Sequence, residues 1–140
     1  MMPKWHILVS AILAVIIFMI TRSFVDACAC FIAGTVIDID HVFDYYLYSG
    51  RLSFDVSEIS GFYHSYRKVF VLLHSYELLV FGVVVASVFD AYGLFFSAAV
   101  GFVGHMLLDS MSYEMKWVSY FFVYRALNGF RLERLCCCEE

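Results

Sequence analysis

Charged residues are scarce in this chain of 140 residues, where Asp, Glu, Lys and Arg together make up only 16%. A typical soluble domain has about 25% charged and about 45–50% apolar residues. The hydrophobic share here is 63%, and aromatic residues alone account for 19%. This composition favours a membrane protein over a soluble globular protein, and the length supports a single membrane domain over residues 1–140.

The chain also lacks a surplus of basic residues. Its formal net charge is −4 with the five histidines counted as neutral. Nucleic-acid binding needs a cluster or stripe of Lys and Arg, so nucleic acid is not an expected partner. Proline occurs once, no flexible linker is evident, and no internal repeat is visible.

The five cysteines do not form the pattern of a disulfide framework. Cys28 and Cys30 lie in an apolar run, where cysteine commonly behaves as a small hydrophobic residue. The consecutive Cys136, Cys137 and Cys138 stand beside two glutamates. They have three readings: acylation at a membrane surface, metal binding, or no special role.

Four apolar runs predict helices at about 5–20, 24–37, 69–89 and 92–108. At ~1.5 Å per residue the run 69–89 spans about 31 Å, close to a ~30 Å hydrocarbon core. No small-residue cleavage site follows the first run, which favours a retained helix over a removed signal peptide. The predicted fold is all-α: a multi-pass membrane bundle of about four transmembrane helices.

The remaining segments are more polar. Residues 38–68 predict a surface segment with amphipathic pieces, and residues 117–135 predict an interfacial C-terminal helix. Four glycines in the last two runs are expected to permit close helix approach: Gly82, Gly93, Gly101 and Gly104. The distribution of Lys and Arg places both termini and the central segment on the cytoplasmic side.

This topology gathers histidines and carboxylates on that one side. His105 and Asp109 are four residues apart on one helix face, and His74 and Glu77 are three apart. Each histidine taken singly is more simply an ordinary polar residue near a helix end. Taken together, the set indicates a site for Zn²⁺, Mn²⁺, Fe²⁺ or, less readily, Mg²⁺. Its members are His6, Asp38, Asp40, His41, His74, His105 and Asp109.

Glu77 is expected about 12 Å inside the third span. A carboxylate there costs about 2.5–3.5 kcal/mol, so it needs a partner, a proton or a water-filled cavity.

Four stretches occur in the order of the short motifs of a known family: "WHILVS", "VIDIDHVF", "LLHSYELL" and "VGFVGHMLLDSMS". In this the chain resembles the membrane-bound metal-dependent hydrolases, small bacterial inner-membrane proteins. The resemblance implies a divalent-metal site on membrane helices and phosphoester-type hydrolysis. The implied metal ligands are His6, Asp40, His74, His105 and Asp109, with Zn²⁺ as the expected ion and Mn²⁺ or Fe²⁺ as alternatives.

In this hypothesis Asp38, His41 and Glu77 take catalytic roles, orienting ligands or moving protons. The expected partner is membrane lipid, with a head-group phosphoester as substrate class, and Arg67 and Lys68 are expected to attract it. A lipid phosphate phosphatase is disfavoured, because that family's arginine-containing motifs are missing. The alternative is a non-catalytic membrane protein that binds or conducts metal ions or protons, or a scaffold with a degenerate site.

Overall fold

The computed structural model describes residues 3–66, 68–112 and 115–136. Within these ranges the chain forms α-helices and two 3-10 turns, and no β-strand, which confirms the all-α prediction. The helices are α1 (Pro3–Thr21), α2 (Phe24–Thr35), α3 (Ile39–Ser49), α4 (Val56–Tyr66), α5 (Glu77–Phe89), α6 (Tyr92–Ser112), α7 (Phe122–Leu127) and α8 (Leu132–Leu135).

The chain divides into two compact units, where the sequence predicts one membrane domain. The first unit comprises Met1–Ile37 and Glu77–Tyr113 and contains α1, α2, α5 and α6. The second unit comprises Asp38–Tyr76 and Glu114–Glu140 and contains α3, α4, α7 and α8. Each unit is therefore built from two separate stretches of sequence.

In the first unit α1, α2 and α6 pack against one another, and α5 packs against α6. Small residues allow the close approach. A Cβ added to Gly101 would lie 1.9 Å from the carbonyl oxygen of Cys30, and one added to Gly34 would lie 2.3 Å from Ser10 Oγ. Gly82 and Gly104 also face neighbouring side chains, as expected, whereas Gly93 has open space around it.

Two helices among the described residues are long and apolar enough to cross a membrane, α1 from Lys4 and α6. The helices α2 and α5 have 12 and 13 residues. At ~1.5 Å per residue they reach only about 18 and 20 Å. Two helices, rather than the predicted four, thus have the length of a full span.

The prediction of a helix over 69–89 is wrong at its start, because α5 begins at Glu77. Backbone amides in 69–76 are taken by acceptors elsewhere in the second unit. Phe70 N–H donates to Asp44 Oδ2 at 2.9 Å, Leu73 N–H donates to Asp40 Oδ2, and Tyr76 N–H donates to the carbonyl of Tyr120 at 3.0 Å. The stretch continues the apolar run of α5 in the sequence, but its backbone amides donate to other segments of the second unit instead of forming a helix.

The second unit has a small core of Val69, Val71 and Leu135. The C-terminal region is not the single interfacial helix that the sequence predicts. It consists of a 3-10 turn at Trp117–Tyr120 followed by the short helices α7 and α8. Several of its side chains are buried in the unit: Ser119, Tyr120, Arg125 and Leu135.

Candidate metal centres

The first candidate centre lies where α1, α2 and α6 approach most closely. The small-residue contacts at Ser10, Gly34 and Gly101 stand one helical turn away from two histidines. His6 precedes Ser10 by four residues on α1, and His105 follows Gly101 by four residues on α6, so each histidine shares a helix face with its small residue. The packing that the small residues permit therefore brings the two imidazoles together.

The ring of His105 is fixed by the backbone of α2. Its Nδ1 lies 2.9 Å from the carbonyl oxygen of Gly34. A carbonyl oxygen only accepts hydrogen bonds, so the proton of this bond is on Nδ1. Metal-ligating histidines are typically oriented in this way, with the second ring nitrogen donating to a carbonyl or carboxylate.

The other nitrogen of His105 faces a carboxylate. Nε2 of His105 lies 3.4 Å from Asp109 Oδ2, and Nε2 of His6 lies 3.3 Å from Asp109 Oδ1. The two imidazole rings are stacked with their centroids 4.0 Å apart. In its neutral form His105 presents a lone pair to the carboxylate, and two acceptors in contact repel unless a cation or an added proton lies between them.

These separations suit a bound ion. At Zn–N distances of about 2.0–2.1 Å, two ligand atoms of a tetrahedral site are about 3.3 Å apart. His6, His105 and Asp109 each offer one possible ligand atom, and these three atoms all lie within 4.8 Å of one another. Nδ1 of His6 is buried and has no hydrogen-bond partner among the described residues.

The first centre is closed to solvent. The exposed fractions of His6, His105 and Asp109 are 2%, 1% and 4%. Closed centres with all positions supplied by protein are typical of structural metal sites, whereas catalytic sites keep a position open for water or substrate.

The second candidate centre lies in the second unit and is more open. One ligand atom each from Asp38, His41 and His74 falls within 4.8 Å, and Asp38 and His41 are half-buried. Nε2 of His74 lies 4.0 Å from Asp38 Oδ1, and the rings of His41 and His74 have centroids 4.6 Å apart. Asp38 ends a 3-10 turn at Val36–Asp38, so an irregular backbone delivers this carboxylate to the start of α3.

Asp40 flanks His74 from its other side, where Asp40 Oδ2 lies 3.6 Å from Nδ1 of His74. The same oxygen accepts the backbone N–H of Leu73. Asp40 is expected from the sequence to be a metal ligand, but its contacts are with the backbone and ring of the segment that carries His74. The structure thus groups Asp38 and His41 with His74, and places Asp40 behind the ring.

Glu77 occupies a different place from the one expected. It is the first residue of α5 and half-buried, so it lies at a helix end and not about 12 Å inside a span. Its own unit is the first, and it is in neither ligand group. Lys68 is exposed, and Arg67, Cys137 and Cys138 lie outside the described residues.

Sequence reasoning missed three buried polar residues of the second unit: Asp44, Ser75 and Arg125. Asp44 lies four residues after Asp40 on α3, and this spacing is a signal that two carboxylates share one helix face. Ser75 follows His74 directly in the sequence. Burial raises the pKa of the next residue, Tyr76. Nothing in the local sequence marks Arg125 as buried.

No protein-family model matches the chain, and neither a curated protein nor a solved structure shows significant similarity to it.

Proposed function

We propose that this chain is a membrane-embedded, divalent-metal-dependent hydrolase of the bacterial inner membrane, similar to the membrane-bound metal-dependent hydrolases, with phosphoesters of lipid head groups as its substrate class. The observation that carries the metal dependence in this proposal is the setting of His105, whose Nδ1 is held by Gly34 while Nε2 faces Asp109. This arrangement fits a cation better than it fits a neutral hydrogen-bonded pair.

Membrane insertion is supported by the apolar surface of the helices. Only 17% of the segment Lys4–Thr21 of α1 is buried, and only 33% of α6. Most of their apolar side chains therefore face outward. A core helix of a soluble protein would bury that surface, and exposed apolar area on this scale marks a lipid or protein contact. In the proposed topology α2 and α5 complete a bundle of four helices, and both termini lie on the cytoplasmic side.

Two unlike centres support a division of roles. His6, His105 and Asp109 would hold a buried ion that stabilises the packing of α1, α2 and α6. The Asp38, His41 and His74 group would hold an ion within reach of solvent, where a divalent cation acts as a Lewis acid and activates water at neutral pH. Zn²⁺ suits these donor sets best, with Mn²⁺ or Fe²⁺ as alternatives.

Two exposed basic residues of the second unit suit the attraction of a phosphoester. Lys68 and Arg131 are exposed, and their backbones form an isolated antiparallel bridge. This bridge places two cationic side chains on adjoining segments of the chain. Cationic groups of this kind attract phosphate oxygens.

The alternative function is a non-catalytic membrane protein that binds or conducts metal ions or protons. The full burial of His6, His105 and Asp109 favours it, because a substrate has no access to them. A protonated His105 would also relieve the contact with Asp109 without any metal. The two functions differ in whether a metal ion copurifies and whether phosphoesters are cleaved.

The test is the metal content of the detergent-purified protein, by elemental mass spectrometry, beside a His105→Ala/Asp109→Ala variant. The matched control is Asp90→Asn, which removes an exposed carboxylate at a residue with φ of 52°, a conformation that asparagine tolerates. We expect Zn, Mn or Fe in the wild type and the control, and less in the double variant.

The metal-loaded protein is then offered model phosphoesters, and Asp38→Asn and His41→Ala are compared with the wild type. Hydrolysis that these variants lose supports the enzyme. Metal binding without hydrolysis of any phosphoester supports the non-catalytic alternative, and absence of metal in all variants contradicts both metal readings.

A further inference from the structure

His74 lies in a non-helical stretch, residues 69–76, whose conformation depends on partners outside it. On one side these partners are carboxylates of α3. Asp44 accepts the N–H of Phe70, and Asp40 accepts the N–H of Leu73. Because the stretch has no helix of its own, the position of His74 is set by such contacts.

The C-terminal region holds the other side of the same stretch. Val69 N–H donates to the carbonyl of Phe130 at 3.0 Å, and Tyr76 N–H donates to the carbonyl of Tyr120 at 3.0 Å. The rings of Phe70 and Phe130 are stacked with centroids 4.0 Å apart. Both ends of the stretch are thus fixed to residues 120–130, which contribute nothing to the Asp38, His41 and His74 group.

Arg125 is central to this attachment. Its side chain is 1% exposed, and its Nη2 donates to the hydroxyl of Ser75, the residue directly after His74. Its backbone carbonyl accepts the N–H of Phe130 at 2.8 Å, which shapes the turn that presents Phe130 to Val69. One residue therefore contacts the stretch beside His74 and supports its attachment at the other end.

The backbone of the stretch is also strained. Val71 is buried and has a φ of +24°, a region that β-branched residues rarely adopt. Such conformations persist only where the surroundings enforce them, and they cluster at functional sites. A stretch of this kind would relax if its attachments were weakened, and His74 would move with it.

We propose that Arg125 is a positioning residue for His74, acting through the hydroxyl of Ser75, and that the C-terminal region thereby sets the affinity of the Asp38, His41 and His74 centre for its ion. This rests on the proposed function in so far as the centre binds metal. Arg125 is too deeply buried to meet a substrate phosphate, and its contact with Ser75 connects it to the segment that carries His74.

The first measurement is Co²⁺ affinity, followed by visible absorption, in protein that carries His105→Ala and has Cys136, Cys137 and Cys138 replaced by Ser, so that neither the first centre nor these thiols compete for the ion. Partners that orient a metal ligand contribute about 10- to 100-fold to affinity. We expect Arg125→Met to weaken Co²⁺ binding by about that factor. The matched control is Arg134→Met, an exposed arginine of the same region, which should leave the affinity unchanged.

A double-mutant cycle separates positioning from general packing. Ser75→Ala should weaken Co²⁺ binding as Arg125→Met does. The double variant should bind no worse than Arg125→Met alone, because both changes remove the same hydrogen bond between Arg125 and Ser75. Independent, additive losses would mean that Arg125 acts by another route and would overturn the proposal, as would unchanged affinity in Arg125→Met.

Amide hydrogen exchange gives a readout that needs no metal. The amides of Phe70 and Leu73 should lose protection in Arg125→Met and in Ser75→Ala, and keep it in Arg134→Met. If the wild type binds no Co²⁺, the metal function fails while the exchange data still decide the positioning role. Unchanged protection at both amides would contradict that role.

Discussion

Nδ1 of His105 on α6 lies 2.9 Å from the carbonyl oxygen of Gly34 on α2, and this contact joins the packing of the helices to the chemistry of the centre. The carbonyl is within reach only because Gly34 and Gly101 have no side chains. Gly101 stands one helical turn before His105, and a Cβ added to it would collide with the carbonyl oxygen of Cys30. Helix packing and ring orientation are therefore one structural feature.

Gly101→Ala should disturb both. The added Cβ would lie 1.9 Å from a backbone oxygen, which cannot rotate away, so α2 and α6 must separate. Overpacking of this kind costs about 1–3 kcal/mol, and we expect a loss of unfolding free energy of that size together with loss of bound metal. Unfolding in mixed detergent micelles measures the first and elemental mass spectrometry the second.

Gly93→Ala on the same helix is the control. Nothing lies within 4 Å of its added Cβ, so the substitution should be neutral or stabilise the helix by up to about 1 kcal/mol. Equal destabilisation by the two substitutions would show that the close approach at Gly101 is unimportant.

Ile12→Lys on α1 tests whether this surface faces lipid. Ile12 is 52% exposed near the middle of the helix. On the surface of a soluble protein such a change alters stability by less than about 0.5 kcal/mol. In a bilayer it costs about 2.5–3.5 kcal/mol, so the share of protein that resists extraction from membranes by alkaline carbonate should fall sharply.

Ile12→Leu keeps the apolar character and should insert like the wild type. Full membrane retention of the Lys variant, or wild-type protein found in the soluble fraction, would count against a spanning α1.

Asp44→Ala should destabilise the second unit. Its carboxylate is buried and accepts the N–H of Phe70 at 2.9 Å. Loss of a hydrogen bond to a charged group costs about 1.5–3 kcal/mol, and we expect a decrease of that order in the unfolding free energy. Asp44→Asn keeps an oxygen that can accept the amide, so its loss should be smaller. Equal destabilisation of the two variants, or wild-type stability in both, would contradict a stabilising role for this hydrogen bond.

The first centre could largely be predicted from the sequence, and the region around His74 could not. The spacing of His105 and Asp109 predicts that both lie on one face of a helix. The structure has an unbroken helix there, α6. Gly101 and Gly104 are also recognisable as sites of close approach. These are local patterns of three or four residues, which helix geometry converts directly into position.

The stretch 69–76 illustrates the limit of such patterns. It continues the apolar run of α5 in the sequence, yet two of its amides, those of Phe70 and Leu73, donate to carboxylates on α3 that are 26 and 33 residues away in sequence. No periodicity in the stretch reports those acceptors. For the same reason Glu77 is expected inside a span but begins a helix, and Arg125 is expected at an interface but is buried against Ser75.

The most direct test of the central claim, that His6, His105 and Asp109 bind a metal ion, is the absorption of Co²⁺-loaded His105→Cys protein. A thiolate that replaces the imidazole as a ligand gives a sulfur-to-cobalt charge-transfer band, and cysteine is an accepted ligand in such tetrahedral sites. The control is Met106→Cys, a neighbouring buried position on α6 outside the ligand group. With Cys136, Cys137 and Cys138 replaced by Ser in all three proteins, so that these thiols cannot bind Co²⁺, we predict the band in His105→Cys and its absence in the parent protein and in Met106→Cys. No band in His105→Cys, or an equal band in both variants, would contradict a metal centre at His105.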